Sequence, residues 1–237
     1  MTRGNSLRLT VWNCAGWFEK KHQVLDQARP DIAIIPEASA IFARGLPPHS
    51  SSLWIGAAAG RGVGVLALNG WTLERADVEV DERFFLPCIA TKGLQRLQVI
   101  GVCVKKTSGY VTPTLTALAK LSTFLASGPT ILAGDFNQSA AFAKPHKRHF
   151  QRVLDRLVDL GMTSAWHRFH GEAFGRETAP TYYMHWRNDP TKQFHIDYAL
   201  VSPHFVIEAV SIGSYADYPG RRLSDHVALS VDLSLPD

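Results

Sequence analysis

Short apolar runs separated by Gly, Pro, Asn or Asp dominate the hydrophobic pattern of this chain. Alternation of apolar and polar residues over Leu7–Trp12 predicts a strand, and the runs Asp31–Ile35 and Pro129–Ala133 predict two further strands in the protein core. Between the first two strands, residues 17–28 predict a helix that Pro30 ends. Strand, helix and strand in this order indicate a βαβ unit.

The rest of the chain is also rich in predicted strands. Residues 52–104 contain β-type runs punctuated by Gly, Asn and Asp, a pattern typical of an antiparallel meander. Amphipathic helices are predicted over residues 114–126 and through Leu154–Leu160. Two β-rich halves with outer helices predict an α/β sandwich of two mixed sheets, built as a single domain over residues 1–237. The later predicted strands are residues 181–187, 194–201, 206–212 and 227–233.

Composition narrows the class of protein. The chain has 237 residues, of which 46% are apolar, and no apolar stretch is long enough for a signal peptide or a membrane anchor. We therefore expect a soluble, cytoplasmic protein with no membrane association and no evident obligate protein partner. Its 3 cysteines are scattered without metal-type spacing, which favours buried thiols. A net charge of +4 is mildly favourable to a polyanionic partner.

The strongest chemical signal follows the run that ends at Ala133. Gly134 breaks that run, and Asp135 and Asn137 come directly after it, on either side of Phe136. Because residues i and i+2 of an extended chain share a face, we expect the carboxylate and the carboxamide to enter one pocket while Phe136 packs the other way. Together they can hold a water and a phosphate oxygen. A turn at the end of a strand is the alternative interpretation.

Two more polar side chains follow predicted strands of the βαβ unit. Asn13 lies at the end of the first strand, and Glu37 comes just past Pro36 after the second. Each is also an ordinary residue for a turn or a solvated loop. The carboxyl-end loops are expected to converge on one edge of the sandwich, and this shared position favours a functional site.

Five short motifs occur in the order and approximate spacing of the endonuclease/exonuclease/phosphatase superfamily, which the chain resembles from Leu7 to Leu233. That superfamily includes exonuclease III and DNase I. The resemblance implies a DNase I-like four-layer α-β-β-α sandwich and a metal-dependent phosphoric ester hydrolase. The motifs are Trp12-Asn13, Pro36-Glu37, Gly134-Asp135-Phe136-Asn137, His195-Ile196-Asp197-Tyr198 and Ser224-Asp225-His226.

The resemblance implies a metal site. Glu37 looks like the principal ligand of a Mg²⁺ (or Mn²⁺) ion, with Asn13 beside it and Asp225 nearby or acting through water. Hard oxygen ligands suit Mg²⁺. The position two after Asn13, often an Asp in the nuclease branch, is Ala15, which argues against tight binding of a second metal.

The resemblance also implies the residues that act on water and phosphate. Asp135 resembles the residue that orients or deprotonates the attacking water, and Asn137 resembles one that binds a phosphate oxygen. His226 would contact the phosphate, while Asp197 would hold its imidazole in one tautomer and favour the charged form. The general base is either Asp135 or the Asp197–His226 pair.

A further position departs from the superfamily pattern. Where the strand ending near Val104 often presents a His or Tyr to the phosphate, this chain has Cys103, with Lys105 and Tyr110 as possible substitutes. Lys105 is equally an ordinary surface lysine. His195, two residues before Asp197, is expected to line the site.

The substrate is predicted from basic residues on loops that should rim the cleft. Such residues would bind phosphates without reading sequence, so the first interpretation is a nuclease, endo- or exonucleolytic, that cleaves DNA or RNA. The alternatives are a phosphatase or phosphodiesterase acting on a small molecule or lipid head group, and a binding protein without catalysis. The basic stretch could also be a solvated face. The basic residues on which the nuclease interpretation rests are Lys105–Lys106, Lys144–Arg152 with Lys147 and Arg148, and Arg221–Arg222.

Overall fold

The computed structural model describes residues 6–57, 60–80, 84–105, 109–143, 146–184 and 189–234, without the side chains of Lys147 and Arg148. Two six-stranded β-sheets form its centre. The strands are β1 (Ser6–Val11), β2 (Ile32–Ala38), β3 (Ser51–Gly56), β4 (Gly62–Ala67), β5 (Thr72–Arg75), β6 (Phe85–Lys92), β7 (Gln95–Cys103), β8 (Thr130–Asp135), β9 (Thr163–Ser164), β10 (Tyr182–Tyr183), β11 (Gln193–Phe194), β12 (Asp197–Val201), β13 (Val206–Ile212) and β14 (Leu229–Ser234).

The helices are short and lie outside the sheets. A 3-10 turn at Phe18–Lys20 precedes the first of them. None in the described part of the chain is long and apolar enough to cross a membrane. The helices are α1 (Val24–Ala28), α2 (Val111–Lys120), α3 (Ser122–Ala126), α4 (His146–Asp159) and α5 (Ala165–His170).

Each six-stranded sheet contains one parallel pair at its centre. The first sheet has the order β13-β14-β1-β2-β4-β3, with β1 and β2 parallel; the second has the order β5-β6-β7-β8-β12-β9, with β7 and β8 parallel. The remaining pairs within the two sheets are antiparallel. Parallel neighbours end at the same edge, so each sheet delivers two strand ends to one place.

The two sheets pack on each other through their apolar faces. Side chains such as Val11 and Ile34 of the first sheet share one buried cluster with Val99 and Ile131 of the second. A second cluster places α2, α3 and α4 on the outer face of the second sheet, and a third covers the outer face of the first sheet around Trp12. These layers confirm the predicted sandwich of two mixed sheets.

Several local predictions were wrong. The helix expected over residues 17–28 is reduced to the 3-10 turn and α1, and Trp17, where that helix was expected to begin, has a left-handed backbone with φ 58°. The expected meander is divided: β3 and β4 join the first sheet, whereas β5, β6 and β7 join the second. Residue alternation predicts a strand but not the sheet that it enters. The run at residues 73–80 forms a strand only as far as Arg75.

The three cysteines are buried free thiols, as expected. Helix α5 has no counterpart among the predicted elements. Lys106, Lys144 and residues 185–187 of the sequence predictions lie outside the described residues.

Candidate active site

Asp135 is the last residue of β8 and lies at the edge where the strands end. Gly134 before it has φ 144°, and a Cβ there would come within 1.9 Å of the Val102 carbonyl oxygen, so the strand ends on a residue that only glycine can supply. Asn137 then turns left-handed, with φ 53°. This turn, rather than an extended chain, brings the Asn137 amide back to the Asp135 carboxylate.

Three donors hold the Asp135 carboxylate. The Asn137 backbone N–H donates to Oδ1 at 2.7 Å, and the Asn137 Nδ2 donates to Oδ2 at 2.9 Å. Asn13, from the first sheet, donates its Nδ2 to the same Oδ2 at 2.9 Å. The Asn13 Oδ1 in turn accepts from the Ala15 N–H at 3.0 Å. One buried carboxylate therefore joins the two sheets, and Phe136 packs into the core as predicted.

Asp197 begins β12 directly opposite Asp135 in the antiparallel register. Its Oδ2 lies 2.8 Å from Nδ1 of His226, which arrives from the loop before β14. Among the described residues this imidazole hydrogen-bonds through Nδ1, and Nε2 makes no hydrogen bond to any of them. The arrangement is a buried aspartate–histidine pair with one imidazole nitrogen left for a ligand.

Two hydroxyl groups position this pair. The Thr181 Oγ1 accepts from the backbone N–H groups of Ile196 and Asp197, both at 3.0 Å. The Ser224 Oγ accepts from the His226 N–H at 3.0 Å and donates to the Asn13 carbonyl at 2.6 Å. The histidine is therefore tied to the same strand end that supplies Asn13.

Burial and like charge shape the electrostatics of the cluster. Burial raises the pKa of Asp135 to about 7, and the neighbouring Asp197 adds to the rise. Burial alone would lower the pKa of His226, but Asp197 outweighs it and raises that pKa to about 10. The imidazole is thus charged at neutral pH. The Asp197 Oδ1 is buried without a hydrogen-bond partner among the described residues.

The same three side chains meet the geometric requirement for a metal site. One ligand atom each from Asp135, Asp197 and His226 lies within 4.8 Å of the others, the one such group among the described residues. The Asp135 oxygens, however, already accept from amide groups, and the His226 imidazolium supplies a positive charge. Both features disfavour a cation bound among these three side chains.

Glu37 lies on an irregular part of β2, where its φ is 59°. Its carboxylate forms an ion pair with Arg61, whose guanidinium also packs on the backbone at Gly16. Burial raises the pKa of the Tyr182 phenol, and so do the charges of several acids, Asp225 first, with Glu37 among them. The two carboxylates therefore face one half-buried phenol, whose ring centroid lies 4.7 Å from that of His226.

The other predicted site residues are distributed unevenly. Lys105 follows Val104, whose carbonyl accepts from Asn137, and its ammonium lies 5.6 Å from the centroid of the Phe84 ring. Tyr110 is half-buried at the start of α2, with its pKa raised by burial and by Asp135. Arg222 is exposed in a turn and contacts none of the described cluster residues.

His195 does not line the site as predicted. It lies before β12 rather than within it and is only 2% exposed. Its Nδ1 donates to the Ala179 carbonyl, 3.0 Å away, and its Nε2 is buried without a hydrogen-bond partner among the described residues. Its ring packs near Trp166 and Tyr198 inside the protein. Cys103 is likewise fully buried. Of the predicted phosphate-binding helix, Lys147 and Arg148 lie on α4, and their side chains are outside the described residues.

Sequence reasoning missed several contributors. Ser224 carries a local signal, because a serine hydroxyl two residues before a backbone N–H is a common turn motif. Arg61 and Tyr182 carry none, since they reach the site only through tertiary contacts. Lys21 is similar: its amine donates to the carbonyls of Cys14, Gly16 and Leu223 and so clamps two site loops together.

Comparisons with known proteins agree with this geometry. The profile of the Endonuclease/Exonuclease/phosphatase family matches residues 11–226. No curated protein sequence matches the chain significantly.

Solved structures of the same fold include an endonuclease/exonuclease/phosphatase from Bacteroides vulgatus, with TM-score 0.72, 14% identity, and 97% of this chain and 99% of that chain covered. AP endonuclease LMAP from Leishmania major gives TM-score 0.71 at 14% identity, covering 100% and 90%. A variant of the 3′ phosphatase NExo from Neisseria, bound to product DNA hairpin, gives 0.67 at 19%, covering 95% and 98%. At these identities the likeness shows the fold.

Proposed function

The chain belongs to the endonuclease/exonuclease/phosphatase family, and we propose that it is a metal-dependent phosphodiesterase that cleaves DNA or RNA with little sequence specificity. The observation that carries this proposal is the cluster of Asp135, Asp197 and His226 at the edge shared by both sheets. It places a carboxylate of raised pKa beside an imidazole whose Nδ1 is held by Asp197 and whose Nε2 makes no hydrogen bond within the described residues.

A divalent metal fits the acids beside this cluster. Glu37, Asn13 and Asp225 would hold Mg²⁺ (or Mn²⁺) through oxygen atoms, the ligands these ions prefer. The ion pair with Arg61 supports this, because the Glu37 carboxylate already accommodates a cation. When bound, the ion would offset charge on the phosphate.

The chain's own residues supply the remaining chemistry. Asp135 is suited to take a proton from the attacking water, since a base is most effective when its pKa is near the working pH. Asn13 and Asn137 fix the direction of its lone pairs. Asp197 holds Nδ1 of His226, so that Nε2 can donate to a phosphate oxygen as negative charge develops there.

Nucleic acid is the proposed polymer because one side of α4 brings an arginine and two histidines to the cavity. Arg152, His146 and His149 on α4 lie on the same side as Tyr110 and border one cavity. Contacts of this kind bind phosphates and are largely independent of sequence. A cytoplasmic location and a single catalytic domain complete the proposal.

A second candidate is a phosphodiesterase for small phosphoesters. The observation in its favour is the same cavity of about 780 Å³, which lies within the size range of small-molecule sites. Nothing in the described helices provides a membrane anchor, so a soluble ester fits better than a lipid in a bilayer.

Cleavage of end-labelled single- and double-stranded DNA and RNA with Mg²⁺, with a chelator, and with an Asp135→Ala variant tests the proposal. We expect cleavage that requires the metal and is lost in the variant. Equal activity in Asp135→Ala would refute the assignment of the site. Hydrolysis of small diesters without cleavage of any polymer would select the second candidate.

A further inference from the structure

The cavity beside the site has two kinds of wall. Aromatic and apolar side chains line the interior: Phe142 and Phe194 meet edge to face, with centroids 4.9 Å apart at 77°, and Met184 and Val111 also line the cavity. The buried Gln138 adds a polar group. A flat ring with polar edges, rather than a flexible alkyl chain, matches this combination of aromatic faces and one amide.

The cavity is lined by residues that neighbour the catalytic cluster. Gln138 directly follows Asn137, and Tyr110 borders the cavity while its phenol is close enough to Asp135 for that charge to raise its pKa. Met184 comes two residues after Tyr182, which stands over His226. A substrate with its phosphate at His226 could therefore place one ester group in the cavity.

The rim of the cavity is basic. His146, His149 and Arg152 are spaced by three residues, so they occupy one side of α4, and all three are exposed at the cavity. An arginine and two imidazoles at the mouth, with aromatic rings inside, are complementary to a nucleotide, which carries a phosphate next to a flat base.

We propose that this cavity, the base pocket, holds the nucleoside that remains on the scissile phosphate. The base lies against Phe142 within the pocket, and its phosphodiester lies at the Asp135 and His226 cluster. This inference rests on the proposed function, and it names a nucleoside as the group that the enzyme selects.

Two chromogenic diesters test the proposal: thymidine 5′-(p-nitrophenyl) phosphate and methyl p-nitrophenyl phosphate. They share a leaving group and differ in the nucleoside. We expect kcat/KM with Mg²⁺ to favour the thymidine ester by roughly tenfold or more, since stacking of one base contributes a preference of this size. The ratio should fall toward one in Phe142→Ala. A ratio is unaffected by loss of folded protein, because the same molecules hydrolyse both esters.

Two further variants make the test specific. Ala143→Trp would fill the pocket from its exposed wall without removing a core side chain, and should lower the ratio in the same way. Phe169→Ala removes an exposed aromatic ring outside the pocket, and should keep the wild-type ratio. A wild-type ratio near one, or a high ratio unchanged in both pocket variants, would overturn the proposal.

The experiment distinguishes failure of the base pocket from failure of the proposed function. Hydrolysis of the methyl ester without preference for thymidine leaves the proposed function standing and removes the base pocket. Hydrolysis of neither ester, together with no cleavage of polymers, refutes the proposed function and this inference with it.

Cleavage of end-labelled single-stranded DNA tests whether the nucleoside in the pocket belongs to a polymer or to a free nucleotide ester. Cleavage that falls in Phe142→Ala by the same factor as the thymidine ester identifies a nucleotide within a polymer. Cleavage of the thymidine ester alone identifies a free nucleotide ester. Polymer cleavage unaffected by Phe142→Ala would contradict the pocket's role on that substrate.

Discussion

Two buried histidine–carboxylate networks lie side by side in this protein and differ in what they leave unpaired. In the site, His226 uses Nδ1 for Asp197, and its Nε2 makes no hydrogen bond to another described residue. The second network, here called the His167 network, consists of Ser164, His167 and Glu177. Both nitrogens of His167 have partners in it: the Ser164 Oγ lies 2.7 Å from Nδ1, and the Glu177 Oε1 lies 3.0 Å from Nε2.

The acids of the two networks are shifted in opposite directions. Burial and Asp197 raise the pKa of Asp135 to about 7, which means that its ionised form is held at a cost in free energy. Burial also opposes ionisation of Glu177, but His167 and the Gly175 N–H outweigh it and lower its pKa. The surroundings of Asp135 therefore disfavour its negative charge, whereas the His167 network favours the negative charge of Glu177.

Pairing alone therefore does not identify a catalytic histidine. A satisfied pair stabilises the loop it belongs to, while a pair with a free nitrogen and a crowded carboxylate has capacity left for a substrate. The variants below separate these two conditions.

The largest expected effect is on turnover. Asp135→Asn should lower kcat by roughly a thousandfold or more, because it removes the proposed base and its charge. Glu177→Gln should keep kcat per folded molecule within a few-fold. Single-turnover cleavage, normalised to folded protein by circular dichroism, makes this comparison. Equal losses in both variants would show that the networks act as one unit.

Stability should respond in the opposite way. Glu177→Gln is expected to lose about 2 kcal/mol of unfolding free energy in urea, because it removes the charge but keeps the shape of one partner in a buried pair. Glu74→Gln, on an exposed strand position, is the control, with a change within about 0.5 kcal/mol. Since the pKa of Glu177 is lowered, its contribution is present above the unfolded pKa of 4.5 and is lost as pH falls below it. An unchanged difference at low pH would contradict this.

The imidazolium of the site gives a pH effect of the other sign. The pKa of His226 is raised from 6.5 to about 10, so its stabilising contribution is complete below pH 6.5 and is lost as pH rises toward 10. With a metal chelator present, the unfolding free energy of the wild type should fall by about 2 kcal/mol between about pH 7 and 8.5, relative to that of His226→Gln. This corresponds to roughly 1.4 kcal/mol for each pH unit. Urea unfolding at the two pH values measures it, and parallel curves would show a neutral histidine.

The smallest expected effect is on metal affinity and concerns Arg61, the ion-pair partner of Glu37. Arg61→Met should tighten Mg²⁺ binding by at most about fivefold, because an exposed ion pair of this kind contributes only about 0.2–1 kcal/mol. Calorimetric titration of the metal into substrate-free protein measures the change, with Arg96→Met, at the opposite end of β7 from Cys103, as the control. Weaker binding in Arg61→Met would place the ion away from Glu37.

The sequence was sufficient for features that depend on neighbours along the chain. The buried strand before Asp135, the break at Gly134 and the inward packing of Phe136 all follow from hydrophobic pattern and glycine geometry. The order of five motifs was also sufficient for the family, which the match over residues 11–226 shows. The two-sheet sandwich follows from that family.

Only the tertiary structure decided which distant residues meet. The ion pair of Glu37 with Arg61 and the burial of His195 have no signal in local pattern, because side-chain contacts between separate strands depend on register and on the packing of loops. The helix expected over residues 17–28 failed for the same reason: Lys21 gives its amine to carbonyls of two site loops, and these contacts outweigh helix propensity. Local patterning thus determined the strands and their polar ends, and long-range packing determined the site.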